Sequence, residues 1–199
     1  MLCMAYNLKD VFYLSAQHEY PHGTYGSAGV EGAIPLDVSA YVDPISKGRA
    51  KGQGLAIYKV HCHVAADTTG TSQIATDEGA ANFGLTVKPF TVTGDGTSEI
   101  GSPDLSCASD LAIYLAQFTS PASRLSGSTN VGNAQDAVSY LEPSKDVPYV
   151  VVRDTIFQIF ETTVGMSGAD SMVISYRMEC AMITLDSSTL NQLLRTQTA

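Results

Sequence analysis

The chain is poor in cations, contains no tryptophan and has no long apolar run. Its 199 residues include 11 Lys and Arg against 20 Asp and Glu, which gives a net charge of −9. Binding along a phosphate backbone needs several clustered cations, and the cationic cluster of this sequence is confined to residues 47–51. No apolar stretch approaches the roughly 18 to 20 residues that a membrane-spanning helix requires. The sequence therefore predicts little direct nucleic-acid binding and no membrane span.

Cysteine is also scarce, and its spacing excludes the usual cysteine-based scaffolds. Cys3, Cys62, Cys107 and Cys180 lie far apart, without a Cys-x-x-Cys pair. This spacing is typical of neither a disulfide framework nor a structural zinc site, so we expect synthesis in a reducing compartment and free thiols that behave as small buried hydrophobes. Residues 1–10 lack a basic region followed by an apolar core, so we expect no signal peptide.

Two common catalytic signatures are missing as well. There is no Gly-x-Ser-x-Gly nucleophile elbow and no Gly-Lys-Ser or Gly-Lys-Thr phosphate-binding loop. The sequence therefore favours a protein that is not an enzyme and has no cofactor.

What dominates the chain is alternation of apolar and polar residues, the pattern of a strand with one buried face. The clearest case is Met172–Leu185, and residues 147–164 are similarly rich in β-branched and aromatic residues. We expect residues 149–164 and 172–185 to pair as an antiparallel hairpin around the glycine-bearing segment 165–170. The buried face of the second strand should carry Met172, Ile174, Tyr176, Met178, Cys180 and Met182. Further strands are predicted at Leu8–Ala16, Leu55–Ala65 and Gly84–Thr93.

Helical spacing is rarer. Ser102-Pro103-Asp104 is typical of a helix start, and Leu105–Leu115 continue with apolar residues at helical intervals. Two more short helices are expected at Asn133–Leu141 and Thr189–Thr196, the last capped by Asp186 or Ser187. Glycine-rich residues 20–32 and residues 68–82 indicate loops.

These elements predict a mainly β protein. We expect residues 1–199 to form a single β-rich domain, an antiparallel sandwich of the jelly-roll kind, because strands outnumber helices and do not alternate with them. Two or three short helices should lie in the connections, and a glycine-rich loop or arm should occupy about residues 20–32.

The sharpest local motif is His61-Cys62-His63. On a strand, residues 61 and 63 project from the same face and could offer two imidazoles to one metal ion. Asp67, His18 or His22 could complete such a site. Cys62 should point to the opposite face, which argues against a Cys-His nucleophile.

Part of this segment resembles the first cupin motif, in which a glycine precedes His-x-His and a carboxylate follows. That resemblance implies a metal-dependent enzyme using His61, His63 and Asp67. The spacing from Gly54 is one residue longer than in the motif, Asp67 replaces Glu, and no second histidine motif follows. The other interpretation is structural: Ile57, Lys59, His61 and His63 form the polar face of a strand, and no metal is bound.

Three features together resemble the jelly-roll capsid proteins of icosahedral viruses: the glycine-rich segment 20–32, residues 42–49 leading into a strand, and two long late strands. The resemblance implies a structural protein that self-assembles into a shell and has no catalytic, cofactor or metal residues. Its partners would be copies of itself and other shell proteins, and it would be made in the host cytoplasm and located in the virion.

The acidic charge favours a shell protein that is not the main genome-packaging element. The alternatives are a cupin-like metal-dependent enzyme and a β-sandwich binding module.

Overall fold

The computed structural model describes residues 11–20, 31–43, 51–65, 68–70, 79–88, 105–120, 136–164 and 172–198. Within them the chain forms nine strands, one 3-10 turn at Ser39–Tyr41 and a C-terminal helix. The elements are β1 (Phe12–Tyr20), β2 (Glu31–Asp37), β3 (Lys51–Ala65), β4 (Gly79–Thr86), β5 (Ala112–Ser120), β6 (Asp136–Leu141), β7 (Tyr149–Val151), β8 (Thr155–Val164), β9 (Met172–Asp186) and α1 (Ser187–Thr198).

The strands form two antiparallel sheets, in the orders β1-β9-β3-β7 and β2-β8-β4-β5-β6. The pairing is nested along the chain: β1 pairs with β9, β2 with β8, β3 with β7, and β4 with β5. Pairs β3–β9 and β4–β8 then complete the sheets, and β6 adds an edge strand beside β5. A long hairpin wound on itself in this way is a jelly roll. The predicted fold class, a mainly β antiparallel sandwich, is confirmed.

The predicted hairpin of residues 149–164 and 172–185 is wrong. Strands β8 and β9 lie in different sheets, where β8 pairs with β2 and β4, and β9 pairs with β1 and β3. Each strand therefore has partners along both edges, and neither has an edge left for the other. Alternation shows which face of a strand is buried, but it does not identify the neighbouring strand.

Two of the predicted helices are also wrong in the described residues. Residues 105–111 contain turns, β5 begins at Ala112, and residues 136–141 form β6. The leucines of residues 105–115 satisfy helical spacing, but β5 lies between β4 and β6 and is paired on both edges. Helix propensity is a weak local preference, so pairing with β4 and β6 decides that this segment forms a strand.

Several predicted boundaries shift. The first strand is Phe12–Tyr20 and not Leu8–Ala16, β3 begins four residues before Leu55, and β4 begins at Gly79, inside a predicted loop. Both ends of the predicted glycine-rich segment 20–32 belong to strands, because Tyr20 ends β1 and Glu31 begins β2. Residues 21–30 lie outside the described part of the chain.

The main core lies between the two sheets. Tyr176, Met178 and Cys180 of β9 are 2%, 0% and 0% exposed, which confirms the predicted buried face over this part of the strand. From the opposite sheet Phe160 reaches across to Tyr20, and the two rings stack with centroids 4.5 Å apart. This contact packs the end of β1 against β8 of the five-stranded sheet.

A β-bulge in β3 changes which residues face the core. The register with β9 shifts between Ile57 and Lys59, so Tyr58 is an extra residue in the strand. As a result Ile57 and Val60 both belong to the main core, whereas Tyr58 packs on the other side of the sheet. The prediction that Ile57 lies on the polar face is therefore wrong, since one inserted residue inverts the alternation.

Helix α1 covers the outer face of the four-stranded sheet and confirms the predicted C-terminal helix. Asp186 caps it, since its Oδ1 accepts a hydrogen bond from the Thr189 N–H at 2.8 Å. Among the described residues no helix is long and apolar enough to cross a membrane. The apolar cluster between α1 and the sheet consists of Ala56, Tyr58, Val152, Ala181, Ile183, Leu185 and, from α1 itself, Leu190.

The far end of α1 is anchored by a buried side chain, Gln197. Its Oε1 accepts a hydrogen bond from the Val152 N–H at 3.1 Å, and its Nε2 donates to the Val150 carbonyl oxygen at 2.7 Å. The amide thus takes the place of a neighbouring strand along the outer edge of β7.

We expect Met178→Ala to lower the free energy of unfolding by about 2 to 5 kcal/mol, because the side chain is fully buried and its removal leaves a cavity. Met182 is the matched control. It lies on the same strand but is 46% exposed, contrary to its predicted place on the buried face, so Met182→Ala should change stability by less than about 0.5 kcal/mol. Urea denaturation followed by circular dichroism measures both, and equal losses would contradict the assigned faces.

The helix cap makes stability depend on pH. Hydrogen bonds from Thr189 hold the pKa of Asp186 below its ordinary value of 3.8. The ionised carboxylate therefore stabilises the folded state above the pKa of the unfolded chain, and this contribution is lost as pH falls through the folded pKa. Asp186→Ala should lower Tm near pH 7 and leave it nearly unchanged near about pH 2. A Tm difference that is the same at both pH values would show that the carboxylate does not act as the cap.

Candidate functional site

The two histidines of the His61-Cys62-His63 motif lie on the outer face of the four-stranded sheet. Both are exposed, and strand alternation places both on the same side of β3, as predicted. Cys62 points the other way and packs against the main core. The three residues therefore do not form one site.

A groove of about 440 Å³ runs across β1, β9 and β3 on this outer face. Strand register brings its lining residues together, since β9 lies between the other two strands. In cross-strand order the polar side chains are Ser15, Arg177 and His61 in one row, and Gln17, Ser175 and His63 in the next.

Charged groups at one end of the groove pair with each other. His61 Nε2 lies 3.2 Å from Glu179 Oε1, an ion pair when the imidazole is protonated. The guanidinium of Arg177 sits 4.1 Å from the centre of the Tyr13 ring, at the distance of a cation–π contact. Both contacts join residues of neighbouring strands and so stabilise the sheet face.

At the other end of the groove, the turn at residues 68–70 lies next to Gln17 and His63. Gln17 Nε2 donates hydrogen bonds to Ser175 Oγ at 3.0 Å and to the Thr68 carbonyl oxygen at 3.1 Å. Gly70 has a φ of +72°, and a Cβ there would lie 3.4 Å from the His63 ring. The turn thus packs against His63, and glycine supplies the left-handed conformation that it needs.

The additional residues considered as metal ligands do not complete a site with His61 and His63. His18 lies on the inner face of β1, on the opposite side of the sheet, and burial lowers its pKa. His22 and Asp67 fall outside the described residues. In the part of the chain that the structure describes, no three His, Cys, Asp or Glu side chains are placed to hold a metal ion.

Cys62 is enclosed with two tyrosines in the sandwich interior. Burial raises the pKa of its thiol to about 12, although a hydrogen bond with Tyr114 acts in the opposite direction. The Tyr114 ring meets the Tyr176 ring edge to face, with centroids 6.1 Å apart. A thiol with this pKa stays protonated at neutral pH and is a poor nucleophile.

Sequence reasoning found part of the groove. Alternation in β9 placed Ser175, Arg177 and Glu179 opposite the core, but it could not show that they adjoin the histidines. Tyr13 and Gln17 were not singled out, although their alternation with Phe12, Leu14 and Ala16 is visible in the sequence. Only the register of three strands brings these residues to one face.

No protein-family model and no curated protein matches the sequence. The solved structures that the chain resembles include VP1 of Merkel cell polyomavirus in complex with disialyllactose, with 8% identity, a TM-score of 0.47 and coverage of 94% of this chain and 100% of that one. The VP1 pentamer of human polyomavirus 7 is 9% identical, with a TM-score of 0.45 and coverage of 90% of this chain and 98% of that one. VP1 of trichodysplasia spinulosa-associated polyomavirus, in complex with GM1 oligosaccharide, is 7% identical, with a TM-score of 0.45 and coverage of 88% of this chain and 95% of that one.

These VP1 proteins are jelly-roll capsid proteins. The similarity is distant, and the fold assignment rests on the nested strand pairing of this chain.

We expect Cys62 and Cys180 to resist iodoacetamide in the folded protein near pH 8, because burial raises the pKa of each thiol to about 12. Cys107 is exposed and should be alkylated readily, which makes it the internal control. Peptide mapping by mass spectrometry, with and without urea, measures each cysteine separately. Rapid alkylation of Cys62 without urea would contradict its placement in the core.

Proposed function

We propose that the chain is a structural subunit that self-associates into a shell, and specifically a viral capsid protein located in the virion after synthesis in the host cytoplasm. The observation that carries this proposal is the nested pairing of β1 with β9, β2 with β8, β3 with β7 and β4 with β5. Capsid domains, lectins and cupins all use this jelly-roll architecture, so the choice among them depends on the surfaces that this chain presents.

The histidine face favours a structural role over the cupin-like alternative. His61 already contacts Glu179, and the groove is open to solvent on the outside of the sheet. Catalytic sites gain from enclosure, which strengthens electrostatic interactions and excludes water. His18, the described candidate for a third ligand, lies on the opposite side of the sheet.

The net charge of the chain also supports a structural role, and it indicates which partners a shell protein of this kind would have. A net charge of −9 disfavours neutralisation of a genome by this chain. We therefore propose that its partners are further copies of the chain and other shell proteins, with genome binding left to a different component. The proposal includes a single domain spanning residues 1–199, with the glycine-rich segment between β1 and β2 ordered against a neighbouring subunit.

Self-association is the direct test. Size-exclusion chromatography with light scattering, followed by negative-stain electron microscopy, should show defined assemblies many times larger than the 21.0 kDa chain. A monomer at every protein and salt concentration would contradict the proposal.

A double variant, His61→Ala with His63→Ala, separates this role from metal catalysis. The variant should assemble like the unmodified protein, because both side chains are exposed and the core does not depend on them. Elemental analysis of both proteins completes the comparison. One metal ion per chain, lost in the variant, would favour the cupin-like enzyme.

A further inference from the structure

The two sheets end in four edge strands, β1 and β7 in one sheet and β2 and β6 in the other. An edge strand presents unpaired backbone N–H and C=O groups, which can add a strand from another chain. Proteins block such edges with proline, lysine, very short strands or a covering element. The presence or absence of these blocking features on each edge strand therefore indicates where another chain can pair.

Two of the four edges are blocked. Strand β7 is three residues long, and the side-chain amide of Gln197 occupies the Val150 and Val152 backbone groups along its outer edge. Strand β2 carries Pro35, which has no N–H to donate. Neither strand can accept a further strand along its whole length.

In the part of the chain that the structure describes, the other two edges carry none of these features. Strand β1 has nine residues, β6 has six, and neither contains proline or lysine. Among the described residues β1 pairs only with β9, and β6 only with β5. Both expose apolar side chains: Tyr13 on β1 and Val138 on β6 are each 54% exposed, and Tyr140 is 44% exposed.

The two open edges lie on opposite sides of the sandwich. At one side β1 contacts β8 next to β2, through the stacked rings of Tyr20 and Phe160. At the other side β7 lies near the start of β5, where the Tyr149 hydroxyl donates to the Asp110 carbonyl oxygen at 2.8 Å. Since β6 flanks β5, it belongs to the side away from β1.

Charge distinguishes the possible combinations of edges. Beside β1, the outer face formed by residues 13–19, 59–63 and 175–179 carries two cations, Lys59 and Arg177, against two carboxylates, Glu19 and Glu179. In residues 137–146, which contain most of β6 and the chain just after it, two carboxylates stand against one lysine. Contact between two β6 edges therefore brings like charges together, whereas contact of β6 with the β1 edge does not.

We propose that β1 of one copy pairs with β6 of the next copy, which joins the four-stranded sheet of one subunit to the five-stranded sheet of its neighbour. The inference rests on the self-association proposed above and names the surfaces that form it. Because the two edges are different surfaces on opposite sides of the molecule, the contact is heterologous, and its repetition generates a ring when the rotation between copies closes.

A charge placed on β6 tests the pairing. Val138→Lys puts a lysine on the open edge, the device by which natural edge strands avoid pairing. It should raise the protein concentration needed for half-assembly by about tenfold or more, since a tenfold change requires only about 1.4 kcal/mol. Met182→Lys is the control, because Met182 is also an exposed apolar residue, 46% exposed, but lies on the central strand β9. This variant should assemble like the unmodified protein.

Cross-linking identifies the paired edges without relying on Val138→Lys. In a background with Cys3→Ser and Cys107→Ser, one preparation carries Ser15→Cys on β1 and another carries Ala137→Cys on β6. After mixing before assembly, a short bifunctional maleimide should link the two types of chain. Each preparation alone should yield little cross-linked dimer.

The outcomes separate the two proposals. Failure of the unmodified protein to assemble would overturn both. Normal assembly without any link between β1 and β6 would overturn only the edge pairing. Cross-linked dimers from Ser15→Cys alone would show β1 paired with β1 and would also overturn it.

Discussion

Strand β9 forms backbone hydrogen bonds along both of its edges, with β1 over residues 172–180 and with β3 over residues 173–186. The rest of the structure depends on this double pairing. One face of β9 supplies Tyr176 and Met178 to the core, and the other supplies Arg177 to the groove. Beyond Cys180 the outer face becomes apolar, and helix α1 packs there. A single strand thus sets the core, the polar face and the position of the helix.

Strand β9 approaches the five-stranded sheet closely at Gly84 of β4. The Tyr176 hydroxyl donates to the Gly84 carbonyl oxygen at 3.4 Å, and a Cβ on Gly84 would overlap the backbone of Tyr114. Glycine therefore lets β4 and β5 lie close together directly beneath the tyrosine. The same region encloses the Cys62 thiol. Close packing of side chains and backbone therefore shapes the interior. The polar and charged side chains of the groove lie on the outer face of the four-stranded sheet.

Prediction from the sequence succeeded where a property is local. The alternation of residues 172–180 identified their buried face, residues 61 and 63 were placed on a common face, and Asp186 was one of the two residues expected to cap the last helix. It failed for residues 105–115, whose leucines have helical spacing although the segment turns and enters β5. It also failed for β8 and β9, which look like hairpin strands but belong to different sheets. In both cases the outcome depended on strands that are distant in the sequence.

The sequence by itself determined that the chain is mainly β, which residues of β9 face the core between Met172 and Cys180, and that a helix follows β9. These properties follow from side-chain period and from capping, which act within a few residues. Only the tertiary structure decided which strands are neighbours, which edges have no partner strand among the described residues, and that Arg177 adjoins His61. Pairing joins segments that lie far apart along the chain, and one extra residue, Tyr58, reverses the faces of a strand without any mark in its composition.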